Sequence, residues 1–414
     1  MGKEDLKAYL KKYEEIKADQ LNLDLTRGKP SKEQLDMVQG YMEKAMARGI
    51  VQPDDGTDIR NYGGLTGLTD MRAIAGKMMG VEPDKIMTMG NSSLRVMNSV
   101  LSSALIYGLP GQKPWDRVEK KKWLCPSPGY DRHFNMTEKL GFELVTVDMT
   151  PDGPNTDQVR ELAKDPDVKG MWCVPKFSNP DGYVYSEATC RALAEMEAGD
   201  DFLILWDNAY TVHYHYEEGD DAFPQIPDIL SLCADAGHPN RVMVLASTSK
   251  MTFPGSGVAA LAGNQEMMDW FRSCFAISSI GPNKFNQMIQ VSFFKEVGGI
   301  EPLMRQHADF IRPKFHLVEK ILQQELAEEG LARWNQPKGG YFLSVYLKEG
   351  TAKRVYDLCL EAGLHLTGPG ATYPYHKDPR DWNLRLSITV PPLEELEKAM
   401  ELFCLCVKIA AYEG

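Results

Sequence analysis

Lys250 follows the apolar run Val242 to Ala246 and closes Ser247-Thr248-Ser249-Lys250, ahead of the glycine-rich segment Pro254-Gly255-Ser256-Gly257. A second apolar run, Phe202 to Trp206, ends in Asp207-Asn208-Ala209-Tyr210. A third segment reads Val174-Pro175-Lys176-Phe177-Ser178-Asn179-Pro180-Asp181-Gly182. An amine, an acid, a phenol and an amide thus stand just beyond separate predicted strands, and α/β sheets gather their sites at strand carboxyl ends. A lysine that forms an imine, an acid for a ring nitrogen and donors for a phenolate are what pyridoxal phosphate chemistry needs.

Most lysines are solvated. Lys250 differs by its place at the end of an apolar strand, where a desolvated amine becomes a base or imine former. An aspartate such as Asp207 often only caps a turn. Held against a pyridine nitrogen, it would keep the ring cationic. Tyr210 and Asn179 can both bond the ring 3-oxygen and lower the imine pKa. Gly90-Asn91-Ser92-Ser93 precedes an apolar helical run, so backbone N–H groups and two hydroxyls can face a phosphate; a plain N-cap is the other use of such residues. Tyr130, after Pro128-Gly129, can stack on a ring. Arg385 lies between Leu384 and Leu386 and points away from both if the segment is a strand. It can then clamp a carboxylate in bidentate fashion.

Other chemistries fit less well. Ser247-x-x-Lys250 matches the Ser-x-x-Lys of serine β-lactamases, with Lys338-Gly339-Gly340 as a later triad. No Ser-Asp-Asn lies between them, and Pro254 and Gly255 interrupt the helix that such a serine should open. His213-Tyr214-His215 offers two imidazoles but no third metal ligand. Glu217-Glu218-Gly219-Asp220-Asp221 reads as a solvated acidic loop. The formal net charge of −12 argues against non-specific nucleic-acid binding. Eight scattered cysteines in 414 residues point to reduced, buried thiols and a cytoplasmic protein. Neither a signal peptide nor a membrane span is read.

The elements that must position these residues alternate. Strands are predicted from Ile86, Trp123, Glu143, Gly170, Leu203, Val242 and Ala259, mostly separated by helices. That is an α/β chain: a large domain with a mainly parallel seven-stranded sheet covered by helices, plus a smaller α+β domain. The expected division is 1–50 as an N-terminal arm and part of the small domain, 51–300 as the large domain and 301–414 as the small C-terminal domain. Lys3 to Ala18 reads as an amphipathic helix. Ser31 with Gln34 resembles a capping box for a helix reaching Ala47, and one long helical stretch is expected from Asn283 to Glu328.

The order Tyr62, Gly90-Asn91-Ser92-Ser93, Tyr130, Asn179-Pro180-x-Gly182, Asp207-x-x-Tyr210, Ser247-x-Ser249-Lys250, Pro337-x-Gly339-Gly340 and Arg385 resembles fold-type I aminotransferases of classes I and II. More narrowly, Leu25-Thr26-Arg27-Gly28-Lys29-Pro30, Pro128 to Phe134 and Ser247 to Gly255 resemble the divergent bacterial subgroup of aspartate aminotransferases, with a domain of MocR or alanine–glyoxylate type. The resemblance implies a pyridoxal 5'-phosphate enzyme acting on aspartate and 2-oxoglutarate, as a homodimer with shared sites. It makes Lys250 the Schiff-base lysine and Asp207 the partner of the pyridine nitrogen. Asn179 and Tyr210 would hold the 3-oxygen, and Tyr130 would stack. Asn91, Ser92, Ser93 and Ser247 would bind phosphate, with Tyr62 reaching the neighbouring subunit's phosphate. Arg385 would take the α-carboxylate under the Gly28 loop.

One departure stands out. Such enzymes usually carry a phosphate-pairing arginine at the position of Val258, so Ser256, backbone amides or a distant basic residue must substitute here. A distal substrate carboxylate needs a further cation, for which Arg27, Lys29, Arg132 and Lys284 are candidates. The same motifs also fit an alanine, aromatic or branched-chain aminotransferase or a carbon–sulfur lyase. The sensor half of a pyridoxal-binding regulator fits less well.

Overall fold

The computed structural model describes residues 3–49, 52–217, 219 and 223–413. Its centre is an eight-stranded sheet in the order Ile86–Thr88, Ala259–Ala262, Val242–Ser247, Leu203–Asp207, Val168–Cys173, Lys122–Ser127, Glu143–Thr150 and Gly153–Pro154. Five consecutive strands, from Val242–Ser247 to Glu143–Thr150, run parallel. The eighth strand corrects the expected seven. It is a two-residue antiparallel edge folded back on Glu143–Thr150, too short to show any periodicity.

Both faces of the sheet are covered, so its central strands are apolar throughout. In Leu203–Asp207, Leu203 and Leu205 enter one core with Trp123, Trp172 and Met97, while Ile204 and Trp206 enter another with Val244, Tyr185 and Phe293. Period-two alternation of side chains makes one strand serve two cores.

A third core joins the chain's two ends. The antiparallel strands Ala332–Trp334, Leu343–Leu347 and Asn383–Leu386 pack with helices Ile300–Leu322, Ala352–Glu361 and Leu393–Glu413. Strand Leu23–Asp24 pairs with Leu364–His365. Helix Lys3–Ala18 packs on the same body, where Tyr13 is buried and its hydroxyl donates to the Leu358 carbonyl at 2.8 Å. The Ser31 capping box forms and opens helix Lys32–Ala47. The long helical stretch expected after Asn283 is instead broken. Gly298 and Gly299 adopt positive φ, which ends Lys284–Val297 and lets Ile300–Leu322 start in a new direction.

All eight cysteines are unpaired. Among the described residues no helix is long and apolar enough to cross a membrane, and no three metal-ligating side chains cluster. Residues 218, 220 and 221 of the acidic loop lie outside the described residues; Glu217 meets His316 at 2.9 Å.

Gly170 lies where the strands are most tightly apposed. A Cβ there would fall 2.1 Å from the Leu203 carbonyl oxygen and 2.6 Å from the Trp123 ring. Gly170→Ala should cost about 1–3 kcal/mol, read as a lower urea midpoint with an unchanged slope.

Candidate active site

The parallel strands Lys122–Ser127, Val168–Cys173, Leu203–Asp207 and Val242–Ser247 deliver their carboxyl ends to one edge. The segments leaving them hold Tyr130, Asn179, Asp207 with Tyr210, and Lys250. These residues, with Asn91, Ser92, Ser93 and Ser247, line one cavity of about 200 Å³. Nine positions singled out from the sequence are thus brought together, although they span much of the chain.

Asp207 is buried. Its Oδ2 accepts from His133 Nε2 at 3.1 Å, while its Oδ1, equally enclosed, has no partner. A buried oxygen without a partner costs on the order of 1–3 kcal/mol, so the site is shaped for a donor that the described residues do not supply. His133 is itself fixed, lying flat on Trp172 with centroids 4.2 Å apart and edge-on to Tyr130 at 4.9 Å. Sequence alone assigns His133 no role of its own. Its place in the Pro128 to Phe134 segment was visible, but the carboxylate it meets lies across the fold.

Lys250 is half-buried, its Nζ 4.7 Å from the centre of the Tyr210 ring. Burial pushes the Tyr210 phenol far above its ordinary range, and the Asp207 carboxylate adds to that. Tyr130 is raised to about 12, chiefly by burial. Both rings are therefore hydrogen-bond donors at neutral pH.

The lysine loop is pinned from both sides. Thr248 N donates to the Val258 carbonyl at 3.0 Å, and Val258 N donates to Thr248 Oγ1 at 2.9 Å. Asn91 Nδ2 donates to the Gly255 carbonyl at 2.8 Å, and Ser249 Oγ donates to the Asn91 carbonyl at 3.0 Å. The phosphate-cradle segment and the lysine loop are therefore one hydrogen-bonded unit. Ser92 also caps helix Ser93–Tyr107. Val258 packs with Ile59, Leu68, Met71, Met288 and Val291, so its side chain belongs to an apolar cluster. Lys250 is the one cation among the described residues that line the cavity.

Arg385 is 7% exposed. Its Nη1 donates to Asp131 Oδ1 at 3.2 Å and to Asn179 Oδ1 at 3.3 Å, and its Nη2 to Thr367 Oγ1 at 3.2 Å. The guanidinium lies 4.9 Å from the centre of the Phe342 ring. A Cβ on Gly28 would fall 2.4 Å from that ring, so glycine there leaves room for the ring beneath the arginine. Gly28 and Arg27 do not line the cavity, and Tyr62 is 82% exposed and stands apart from it. Of the cations considered for a distal carboxylate, Lys284 is committed: it is buried and donates to the carbonyls of Asn61 and Gly63, both at 2.7 Å. Arg27, Lys29 and Arg132 are exposed.

Residues 3–414 match the family described as aspartate amino-transferase. An aspartate aminotransferase of Corynebacterium glutamicum is 46% identical over 99% of this chain and 94% of its own length. A crystal structure of an aspartate transaminase from that species superposes with a TM-score of 0.95 at 44% identity, covering 100% of this chain and 98% of that one. At 21% identity, the α-aminoadipate aminotransferase of Thermus thermophilus shares the fold, with a TM-score of 0.76 over 95% of this chain and 94% of that one; it was solved with N-(5'-phosphopyridoxyl)-L-leucine. This chain belongs to the aspartate aminotransferase family.

Asp181, two residues past Asn179, is buried, and desolvation raises its carboxyl to about 6 against the bond donated by Tyr346 at 2.7 Å. Its folded pKa exceeds the unfolded value. The stability it contributes is therefore present below about pH 4 and is lost as pH rises through about 6. Asp181→Asn should gain on the wild type by on the order of 2–3 kcal/mol between those limits and neutrality. Paired urea melts at acid and neutral pH check this.

Proposed function

We propose that this chain is a pyridoxal-phosphate-dependent aminotransferase that moves the amino group of L-aspartate to 2-oxoglutarate, giving oxaloacetate and glutamate by a ping-pong route. The observation that carries the cofactor reading is the buried Asp207 Oδ1 without a partner, in one cavity with Lys250. When bound, the cofactor supplies an aldehyde for covalent attachment to an amine and a ring that draws electrons from the attached carbon.

The chain's own groups do the rest. Lys250 Nζ would hold the cofactor and is the amine placed to move the substrate α-proton. Asp207 Oδ1 would accept from the ring nitrogen, while His133 on Oδ2 keeps the carboxylate oriented. Tyr210 and Asn179 would serve the 3-oxygen, and Tyr130 would cover the ring. Asn91, Ser92, Ser93, Ser247 and the N-terminus of helix Ser93–Tyr107 receive the phosphate. Arg385 takes the α-carboxylate in place of Asp131. The family and the Corynebacterium glutamicum relative support aspartate as donor; Arg27, Lys29 or Arg132 would meet its distal carboxylate.

The reading includes a homodimer, the division at residues 50 and 300, and a cytoplasmic setting. In favour of the dimer, the exposed Ile106, Tyr107 and Ile277 line a groove that also includes Asn91 and Ser92. Tyr62, in the loop whose Asn61 and Gly63 carbonyls bind Lys284, then faces the second subunit's phosphate. Unpaired cysteines favour a reducing compartment.

A panel of amino donors with 2-oxoglutarate tests the substrate, and aspartate should give the highest kcat/KM. Lys250→Ala should abolish turnover, and borohydride should fix the cofactor to Lys250 in the wild type alone. Fixation at another amine would sink the site assignment; a silent response to aspartate with activity on another donor would sink the specificity. Arg385→Lys keeps the charge but loses the planar fork, so the aspartate KM should rise roughly tenfold or more, about 1.4 kcal/mol.

A further inference from the structure

Lys176 begins the segment that carries Asn179 to the active site, and it bridges to Val184 across the turn. Its own side chain lines a different cavity, of about 350 Å³, which shares no lining residue with the first. Lys176 is 3% exposed. Its Nζ meets the Tyr214 hydroxyl and sits 4.3 Å from the centre of that ring. No carboxylate among the described residues pairs with it. Burying an ammonium without a counter-ion is costly, and desolvation accordingly lowers this amine to about 8.

Asn208 lines the same cavity. It is 7% exposed, and its Oδ1 has no hydrogen-bond partner. Lys77 adds a second amine to the lining. An acid also lines it, Asp228, but both of its oxygens are used: Oδ1 accepts from Leu230 N at 3.0 Å and Oδ2 from Ser231 Oγ at 2.6 Å. Among the described residues the lining thus offers a cation with no carboxylate partner and an amide with an unpaired oxygen, in a space of small-ligand size.

We propose that this cavity is a second small-molecule site, which takes a small carboxylate bearing an adjacent hydroxyl or amino group. The carboxylate meets Lys176 and the adjacent donor meets Asn208. Asn208 follows Asp207 directly, and Lys176 leads into Asn179, so the cavity's lining adjoins two active-site residues in the chain.

Competitive labelling of the holoenzyme tests this at Lys176 itself. The protein is treated with trace acetic anhydride near pH 8, and acetylation of the Lys176 peptide is read by mass spectrometry. L-lactate should protect saturably, roughly fivefold at about four times its dissociation constant. Acetate, lacking the donor, should protect more weakly, and sodium chloride of matched ionic strength not at all. Asn208→Ala should reduce lactate to the level of acetate. The proposal is overturned if lactate gives no protection, if chloride protects equally, if the variant behaves as the wild type, or if the reagent never reaches Lys176. The readout needs no turnover and lies outside the first cavity, so it stands or falls apart from the aminotransferase reading.

Discussion

One buried carboxylate, Asp207, sets the terms for the rest of the molecule. With one oxygen held by His133 and the other left open, it needs a rigid address, because a mobile acid would turn toward water or a nearby backbone amide. The fold supplies that address by ending strand Leu203–Asp207 on the residue itself, flanked on both sides by parallel strands. Trp172 comes from one of those neighbours and bears the face of His133. The direction of the open oxygen is therefore decided by the sheet rather than by a loop.

Lys250 is held differently. It sits in a turn, so its backbone needs bracing from outside. Tyr341 donates to the Lys250 carbonyl at 3.2 Å. His307, from helix Ile300–Leu322, meets the Met251 carbonyl at 2.9 Å and Gln34 at 2.7 Å. Gln34 in turn belongs to the capping box at Ser31. Helix Lys32–Ala47, the long helix and the segment leading into strand Leu343–Leu347 thus converge on two consecutive carbonyls. Burial lowers His307 to about 4, so this brace is uncharged at neutral pH and undisturbed by titration there.

Where an apolar run gives way to polar residues, sequence alone locates a strand end; Asp207 closes its strand, and Lys250 and Asn179 are legible as residues of the segments that follow theirs. Tyr130 and the Gly90 to Ser93 turn were legible from their neighbours. The partners were not. His133 on Asp207, Asp131 and Thr367 on Arg385, and Phe342 over Gly28 are contacts between distant segments, and no local period encodes them. Lys284 read as an available cation because sequence cannot show that two carbonyls already occupy it. The Gly298-Gly299 break was written in the chain yet overruled by the helical pattern on either side; two successive positive-φ residues outweigh propensity.

The valine at 258 has a consequence for how the chain keeps its cofactor in salt. Within the proposed reading, the phosphate end is served by hydroxyls, amides and a helix terminus, none of which carries a full charge. Point-charge attraction between exposed groups is screened within a few ångströms in concentrated electrolyte, whereas short hydrogen bonds to the phosphate inside a cavity, charge-assisted on the acceptor side, are screened much less. Retention by this subunit's own groups would then vary little with ionic strength. Nor would Val258→Arg simply convert one regime to the other, because the new guanidinium would enter a hydrocarbon cluster that offers it no acid.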